Sequence, residues 1–255
     1  MKKNVVIIGF GEVGQPITTM CEENNYETYI IDNNKKIDEV IESAIKEFDY
    51  LHICIPYNDK FEQDVIDYIY QLNPKLTIIH STIKPGTTAF IQFKTNKKVV
   101  HSPVKGIHPF LYQSYKTFKK FIGVSSKDTF NIAKEHLSSI GFNVEYGGTS
   151  DETELSKILS TSYYAWNIIW CKEVNKMCKN LGLNFENVYT KLNKDYNQGY
   201  LKLGFSQYVR PVLKPIKGKF GGHCIKANLE ILNGMRLTKL AQFMLNEDKM
   251  YKYDI

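Results

Sequence analysis

The sequence predicts an α/β fold: a doubly wound parallel sheet followed by an all-α domain built on one long helix. Short, nearly all-apolar β-runs alternate with amphipathic helical stretches over the first 150 residues, as strands buried on both faces require. A glycine-rich turn stands directly after the first run, and a sustained 3.6-residue period follows from Asp151 to about Leu181. These place one domain over 1–150 and a second over 151–255.

In order, residues 5–8 read as a buried strand, followed by a helix with Val13, Ile17, Met20 and Cys21 on one face. A second strand covers 28–31, and a second helix carries Ile37, Val40, Ile41, Ala44 and Ile45. Residues 50–55 give a third strand ended by Pro56. Phe61, Val65, Ile69 and Leu72 mark a third helix, stopped at Asn73-Pro74. Further strands are expected at 76–79, 99–100, 121–124 and 144–146. The pattern changes at Gly147-Gly148-Thr149-Ser150, where Asp151 with Glu154 reads as a capping box. The helix it opens has apolar positions from Leu155 to Cys178 and ends near Leu181-Gly182. At 1.5 Å per residue it is about 45 Å long. That exceeds what a compact domain of this size encloses, so the 151–182 helix is expected to be shared in a homodimer, with Tyr163, Tyr164, Trp166 and Trp170 in the core or interface. Shorter helices follow from Phe185, interrupted by a Pro- and Lys-rich loop over 210–219.

Composition narrows the function classes. Of 255 residues, 43% are hydrophobic and 24% charged, which excludes a disordered or fibrous chain. Five cysteines, odd in number and without zinc-ligand spacing, support neither a disulfide framework nor a metal site. The apolar run after Met1 is too short for a signal peptide or a membrane span, so a cytoplasmic location is expected. The net charge of +6 is carried almost wholly by Lys, with Arg210 and Arg236 the two arginines. Nucleic-acid readers lean on arginine forks and clustered charge, so a small anionic ligand is the better expectation.

The turn itself is Gly9-Phe10-Gly11-Glu12-Val13-Gly14, a G-x-G-x-x-G between a strand and a helix, with Asp32 closing the next strand. In a Rossmann-type site the first glycine makes the tight turn, the second admits a pyrophosphate to the backbone, and the third lets helix and strand pack closely. The helix N-terminus presents N–H groups to the phosphates. Asp32 accepts the ribose hydroxyls and repels a 2′-phosphate, which favours NAD; Lys35 and Lys36 keep NADP open.

Three segments then resemble the nucleotide-sugar dehydrogenases, the UDP-glucose and UDP-N-acetylmannosamine dehydrogenases, within the 6-phosphogluconate dehydrogenase-like superfamily. They are Ser81-Thr82-Ile83-Lys84-Pro85-Gly86-Thr87-Thr88, Glu154-Leu155-Ser156-Lys157 on the long helix, and Gly221-Gly222-His223-Cys224-Ile225. The resemblance implies NAD-dependent oxidation of an alcohol, with capture of the aldehyde by Cys224, oxyanion stabilisation by Lys157 and water positioning by Thr82. It also implies that Pro56, Ser81 and Thr82 flank the cofactor, and that Gly221, Gly222 and His223 lie against substrate. The departures are Asn228 where the family has Asp, Thr161 where it has Asn, and Val104 where it has Glu. An amide takes no proton, so two alternatives stand beside the four-electron reaction: a two-electron β-hydroxyacid-type dehydrogenase, and a non-catalytic NAD-binding member. The chain also ends about where the family's C-terminal UDP-binding domain starts, so a short form lacking it is expected. His101, Lys105 and His108 are expected to supply substrate-binding or acid–base groups in place of the missing Glu, and Arg210 an anion fork.

Overall fold

The computed structural model describes residues 2–32, 48–220 and 223–251, apart from the His223 side chain. It forms two compact units, Met1–Lys157 and Ile158–Ile255. The expected second helix, Lys35, Lys36, Gly221 and Gly222 lie outside the described residues.

The first unit contains β1 (Asn4–Ile8), α1 (Gly14–Glu23), β2 (Glu27–Ile31), β3 (Tyr50–Ile53), α2 (Phe61–Leu72) and β4 (Leu76–Ile79). It continues with α3 (Thr87–Thr95), β5 (Val99–His101), α4 (Leu111–Thr117), β6 (Lys119–Ile122), α5 (Lys127–Ser139) and β7 (Asn143–Tyr146). Five strands pair in parallel in the order β2-β1-β3-β4-β5. Strand alternation splits the apolar side chains between two cores. Val5 and Ile7 pack with Ile17, Met20 and Leu137 on one face, while Val6 and Ile8 pack with Phe61, Val65 and Ile69 on the other. Each such burial contributes roughly 1.5–3 kcal/mol against chain entropy. The strands β6 and β7 form a separate parallel pair, tied to β5 by reciprocal backbone bonds between His101 and Gly123.

Two expectations change here. Strand β6 begins at Lys119 rather than residue 121, because the buried Lys120 finds acceptors inside the unit. The capping box is Thr149 with Glu152: the Thr149 N–H donates to Glu152 Oε2 at 2.6 Å and the Glu152 N–H returns to Thr149 Oγ1 at 3.3 Å. Glu154 has a different task, described below.

The long helix α6 (Ser150–Asn180) runs 31 residues and carries the chain into the second unit. It ends on Gly182 at φ 67°, where the Leu183 N–H closes onto Cys178 O at 2.8 Å, a glycine-terminated Schellman-type stop. A π-helical turn over Glu186–Lys191 leads into α7 (Leu192–Lys202), followed by a 3-10 turn over Ser206–Tyr208, α8 (His223–Gly234) and α9 (Leu240–Met250). Ile158, Ala165 and Ile169 of α6 pack with Ile225, Leu229 and Leu232 of α8 and with Ala241 and Met244 of α9.

Candidate active-site groups

The glycine turn has the shape that a dinucleotide requires. Gly9 sits at φ 93°, and a Cβ there would stand 2.9 Å from Cys54 O. A Cβ at Gly14 would lie 1.9 Å from Gly9 O, so only glycine lets α1 start this close to β1. At Gly11 the same construction meets nothing within 4 Å: that direction is open space. Helix α1 has no side-chain cap on its N-terminus; the Gln15 N–H turns back onto Gly11 O at 3.0 Å and Pro16 carries no N–H, so what this end offers a phosphate is chiefly the positive pole of the helix. Asp32 is exposed at the end of β2, where its Oδ2 accepts from the Phe10 N–H at 3.3 Å, and Gln15 braces the turn through Phe10 O at 3.0 Å. These residues fit a dinucleotide. Glu12 and Val13 complete the turn, and Glu12 lies 3.6 Å from His108 Nδ1. Pro56 is exposed just past β3, and Ser81 donates to Ile55 O at 2.6 Å, tying the ends of β3 and β4 together.

The loop after β4 is fixed by Glu154. This fully buried carboxylate accepts the Gly86 N–H at 2.7 Å and the Thr88 N–H at 2.9 Å, thereby capping α3 from the first turns of α6. Burial raises its pKa, and the two backbone donors counter part of that rise. One turn further along α6, Lys157 Nζ donates to Val104 O at 2.9 Å. Glu154 thereby anchors the loop that holds Thr82, and Lys157 reaches the loop after β5.

Three substrate candidates occupy different settings. His101 is fully buried, with Nδ1 2.8 Å from Thr153 Oγ1 and Nε2 3.1 Å from Ser81 O. Burial lowers its pKa to about 3, so it is a neutral brace between β5, α6 and the Ser81 loop rather than the substrate-binding or acid–base group expected from the sequence. The exposed Lys105 lies over the Phe121 ring at 3.8 Å, and burial of its stem lowers its pKa. His108 is exposed beside Glu12.

In the second unit, Cys224 lies in the first turn of α8 and is the exposed one of the five cysteines. Burial pushes the thiols of Cys21 up to about 12 and Cys171 to about 11, which makes them poor nucleophiles. Asn228, one turn on from Cys224, is buried, and Thr161 is half-buried on α6. Arg210 is exposed but held: its guanidinium stacks 3.9 Å from the Tyr196 ring centre, and its backbone N–H donates to Asn197 Oδ1 at 2.9 Å. Among the described residues, no three His, Cys, Asp or Glu are grouped to hold a metal ion, and no helix is long and apolar enough to cross a membrane.

The sequence reading missed the structural weight of four histidines. His52, His80, His101 and His136 are all fully buried, and the signal available was His52 inside an otherwise apolar strand.

The central-domain model of the UDP-glucose/GDP-mannose dehydrogenase family matches residues 151–246. The UDP-N-acetyl-D-mannosamine dehydrogenase of Methanococcus maripaludis is 24% identical over 88% of this chain and 59% of its own length. The chain thus spans less than two thirds of that relative. Among solved structures, the UDP-D-ManNAc dehydrogenase of Pyrococcus horikoshii superposes with a TM-score of 0.74 at 17% identity, covering 96% of this chain and 68% of that one. The Mycobacterium tuberculosis 3-hydroxyisobutyrate dehydrogenase superposes at 0.72 and 15% identity, covering 96% and 92%. At these identities the superpositions establish the fold, a Rossmann-like parallel sheet followed by helices. With the matched segment and the motifs in their order, the chain is similar to the nucleotide-sugar dehydrogenases, its residues 151–246 matching that family's central-domain model.

Proposed function

We propose that this protein is an NAD-dependent dehydrogenase acting on an alcohol or aldehyde of a sugar-derived or other small anionic substrate. The observation that carries the reading is the glycine turn, closed at Gly9 and Gly14 and open at Gly11, with the Asp32 carboxylate on the Phe10 N–H. In this role Gly9, Gly11 and Gly14 admit the pyrophosphate, and Asp32 takes the ribose hydroxyls. When bound, NAD supplies the hydride acceptor. Pro56, Ser81 and Thr82 border the cofactor.

Lys157 stabilises the alkoxide that forms as the substrate hydroxyl loses its proton. Cys224 supplies the thiol that captures an aldehyde, so that a second hydride leaves from the adduct and water releases the acid. The positive groups Lys105 and Arg210 recruit the anionic substrate, and the exposed His108 offers it a hydrogen bond. A second reading, a two-electron hydroxyacid-type dehydrogenase, is favoured by Asn228, an amide one turn beyond Cys224 that cannot relay a proton. A homodimer through α6 accompanies either reading, because Leu159, Tyr163, Tyr164, Trp170 and Met177 leave that helix with a large exposed apolar surface. The location expected is the cytoplasm.

The test is NADH formation over a panel of nucleotide sugars, sugar phosphates and hydroxy acids, with Lys157→Ala in parallel. Turnover by the wild type that falls at least a hundredfold in the variant supports the reading. Silence across the panel refutes the activity, and undiminished turnover in Lys157→Ala refutes the role of the lysine.

A further inference from the structure

Behind the loop that Lys157 touches, four titratable groups that the proposed chemistry leaves unused stand in one buried file. Lys120 of β6 donates from Nζ to Ser102 O at 2.6 Å and Pro103 O at 3.1 Å, and meets His80 Nδ1 at 3.0 Å. His80 Nε2 pairs with His52 Nδ1 at 2.8 Å, and His52 Nε2 pairs with His136 Nε2 at 2.8 Å. The file ends at His136 Nδ1, a buried atom without a hydrogen-bond partner.

Proton counting couples the four groups. Each nitrogen-to-nitrogen contact holds one proton, so neighbouring rings cannot choose their tautomers independently. With an ammonium at Lys120, two of its protons go to the carbonyls and the third to His80 Nδ1. His80 then donates from Nε2 to His52, His52 donates from Nε2 to His136, and the His136 proton sits on Nδ1. With a neutral amine at Lys120, the proton on His80 is at Nδ1, within 2.9 Å of Ser102 O as well as of the amine lone pair. Every contact then reverses: His52 donates from Nδ1, His136 donates from Nε2, and His136 Nδ1 is bare. The two patterns differ by one proton. It breaks from Lys120 and forms on His80, each ring passes one on, and the last leaves His136 Nδ1 for a hydroxide or buffer base that reaches this buried end when it opens transiently.

The lysine end touches the proposed site. The carbonyls of Ser102 and Pro103 are held by Lys120, and the next one, Val104 O, accepts from Lys157. We propose that Lys120, His80, His52 and His136 form a proton wire through which the buried lysine exchanges its charge, and that this charge makes Lys120 a positioning residue for Lys157. Its consequence for catalysis rests on the role proposed above for Lys157; the wire itself does not.

The surroundings suit a file that carries a single charge. Lys120 faces Cys54, the Tyr115 ring at 5.9 Å and the Phe142 ring at 5.3 Å, with the cations of Lys105 and Lys157 in its field. His136 stacks on Tyr50 at 3.6 Å and meets the edge of Tyr26 at 5.2 Å, and Lys3 donates to Tyr50 OH at 3.4 Å. Burial holds Lys120 well below the ordinary lysine range and lowers all three imidazoles, so the rings stay neutral.

The experiment is nitrogen NMR of the histidine rings and a pH titration of the Lys157 side chain, on the full chain without substrate. In the wild type, His80, His52 and His136 are expected to switch from Nε2–H, Nε2–H and Nδ1–H to the reverse pattern at one shared midpoint. Lys120→Met should hold the reversed pattern at every pH and abolish the step that the Lys157 side-chain signals show at the shared midpoint. His52→Leu should leave His136 indifferent to pH over that switch. Rings that titrate separately in the wild type overturn the wire without any variant. Lys157 signals that show no step at the shared midpoint in the wild type, or that keep it in folded Lys120→Met, overturn the positioning role. Absent dehydrogenase activity would count against the function proposed above and leave these spectra unchanged.

Discussion

Acidification tests the buried histidines most sharply. His52, His80, His101 and His136 are fully buried, and burial lowers the pKa of His52 and His101 to about 3 and that of the other two well below the ordinary value. The folded state therefore leaves these rings neutral while the unfolded chain protonates them near pH 6.5. A depressed folded pKa gives stability that is present above the unfolded pKa and drains away as pH falls toward the folded one. Between pH 7.5 and 5.5 His52 and His101 each cost about 1.3 kcal/mol, about 2.6 kcal/mol together, and His80 and His136 act in the same direction. A domain stable by only about 5–15 kcal/mol feels such a loss. Urea unfolding of the full chain across that range should show a falling midpoint with little change in slope, and calorimetry should show proton uptake on unfolding. Stability that stays flat from pH 7.5 to 5.5 would mean that the rings are charged or solvated in the folded protein, and the burial argument would be wrong.

Other perturbations separate anchoring from chemistry. Glu154→Ala leaves the Gly86 and Thr88 N–H groups without their buried acceptor, and should cost about 2–4 kcal/mol of stability, measurable by denaturant unfolding. Asp32→Ala removes the ribose acceptor and the charge opposed to a 2′-phosphate, so NAD affinity should fall roughly tenfold (about 1.4 kcal/mol) while that for NADP falls less; titration of both cofactors reads the ratio. If Cys224 captures an aldehyde, Cys224→Ser should form one NADH per substrate where the wild type forms two, whereas equal yields would favour the two-electron reading. Trp170→Glu, on an exposed position of α6, should lower the molecular mass seen by sedimentation toward that of one chain without unfolding it.

Much of the first unit was legible because its strands are almost wholly apolar. A run such as Val5-Val6-Ile7-Ile8 leaves few alternatives to a central parallel strand, and the turn after it has glycine where the backbone allows nothing larger. Polar residues inside the core were the blind spot. Lys120 and His52 are polar by type, yet each is buried on a partner distant in sequence, and only the fold reveals such partners. The cap of α6 was misassigned because Thr149, Ser150 and Asp151 are all N-cap residue types, and geometry selects Thr149 with Glu152. His101 falls one residue beyond the strand expected at 99–100 because a three-residue strand gives little pattern, and its ring is a brace.

The central claim is that the glycine turn holds a dinucleotide, and calorimetric titration of NAD into wild type, Gly11→Ala and Gly14→Ala tests it most directly. The wild type should bind NAD. Gly11→Ala, whose added methyl meets no protein atom within 4 Å, should keep its stability to within about 0.5 kcal/mol but lose at least roughly tenfold in affinity, a change of about 1.4 kcal/mol. Gly14→Ala, with its methyl 1.9 Å from Gly9 O, should lose about 1–3 kcal/mol of stability as well. A wild type that takes up no NAD, or a Gly11→Ala variant that binds it equally well, would contradict the claim.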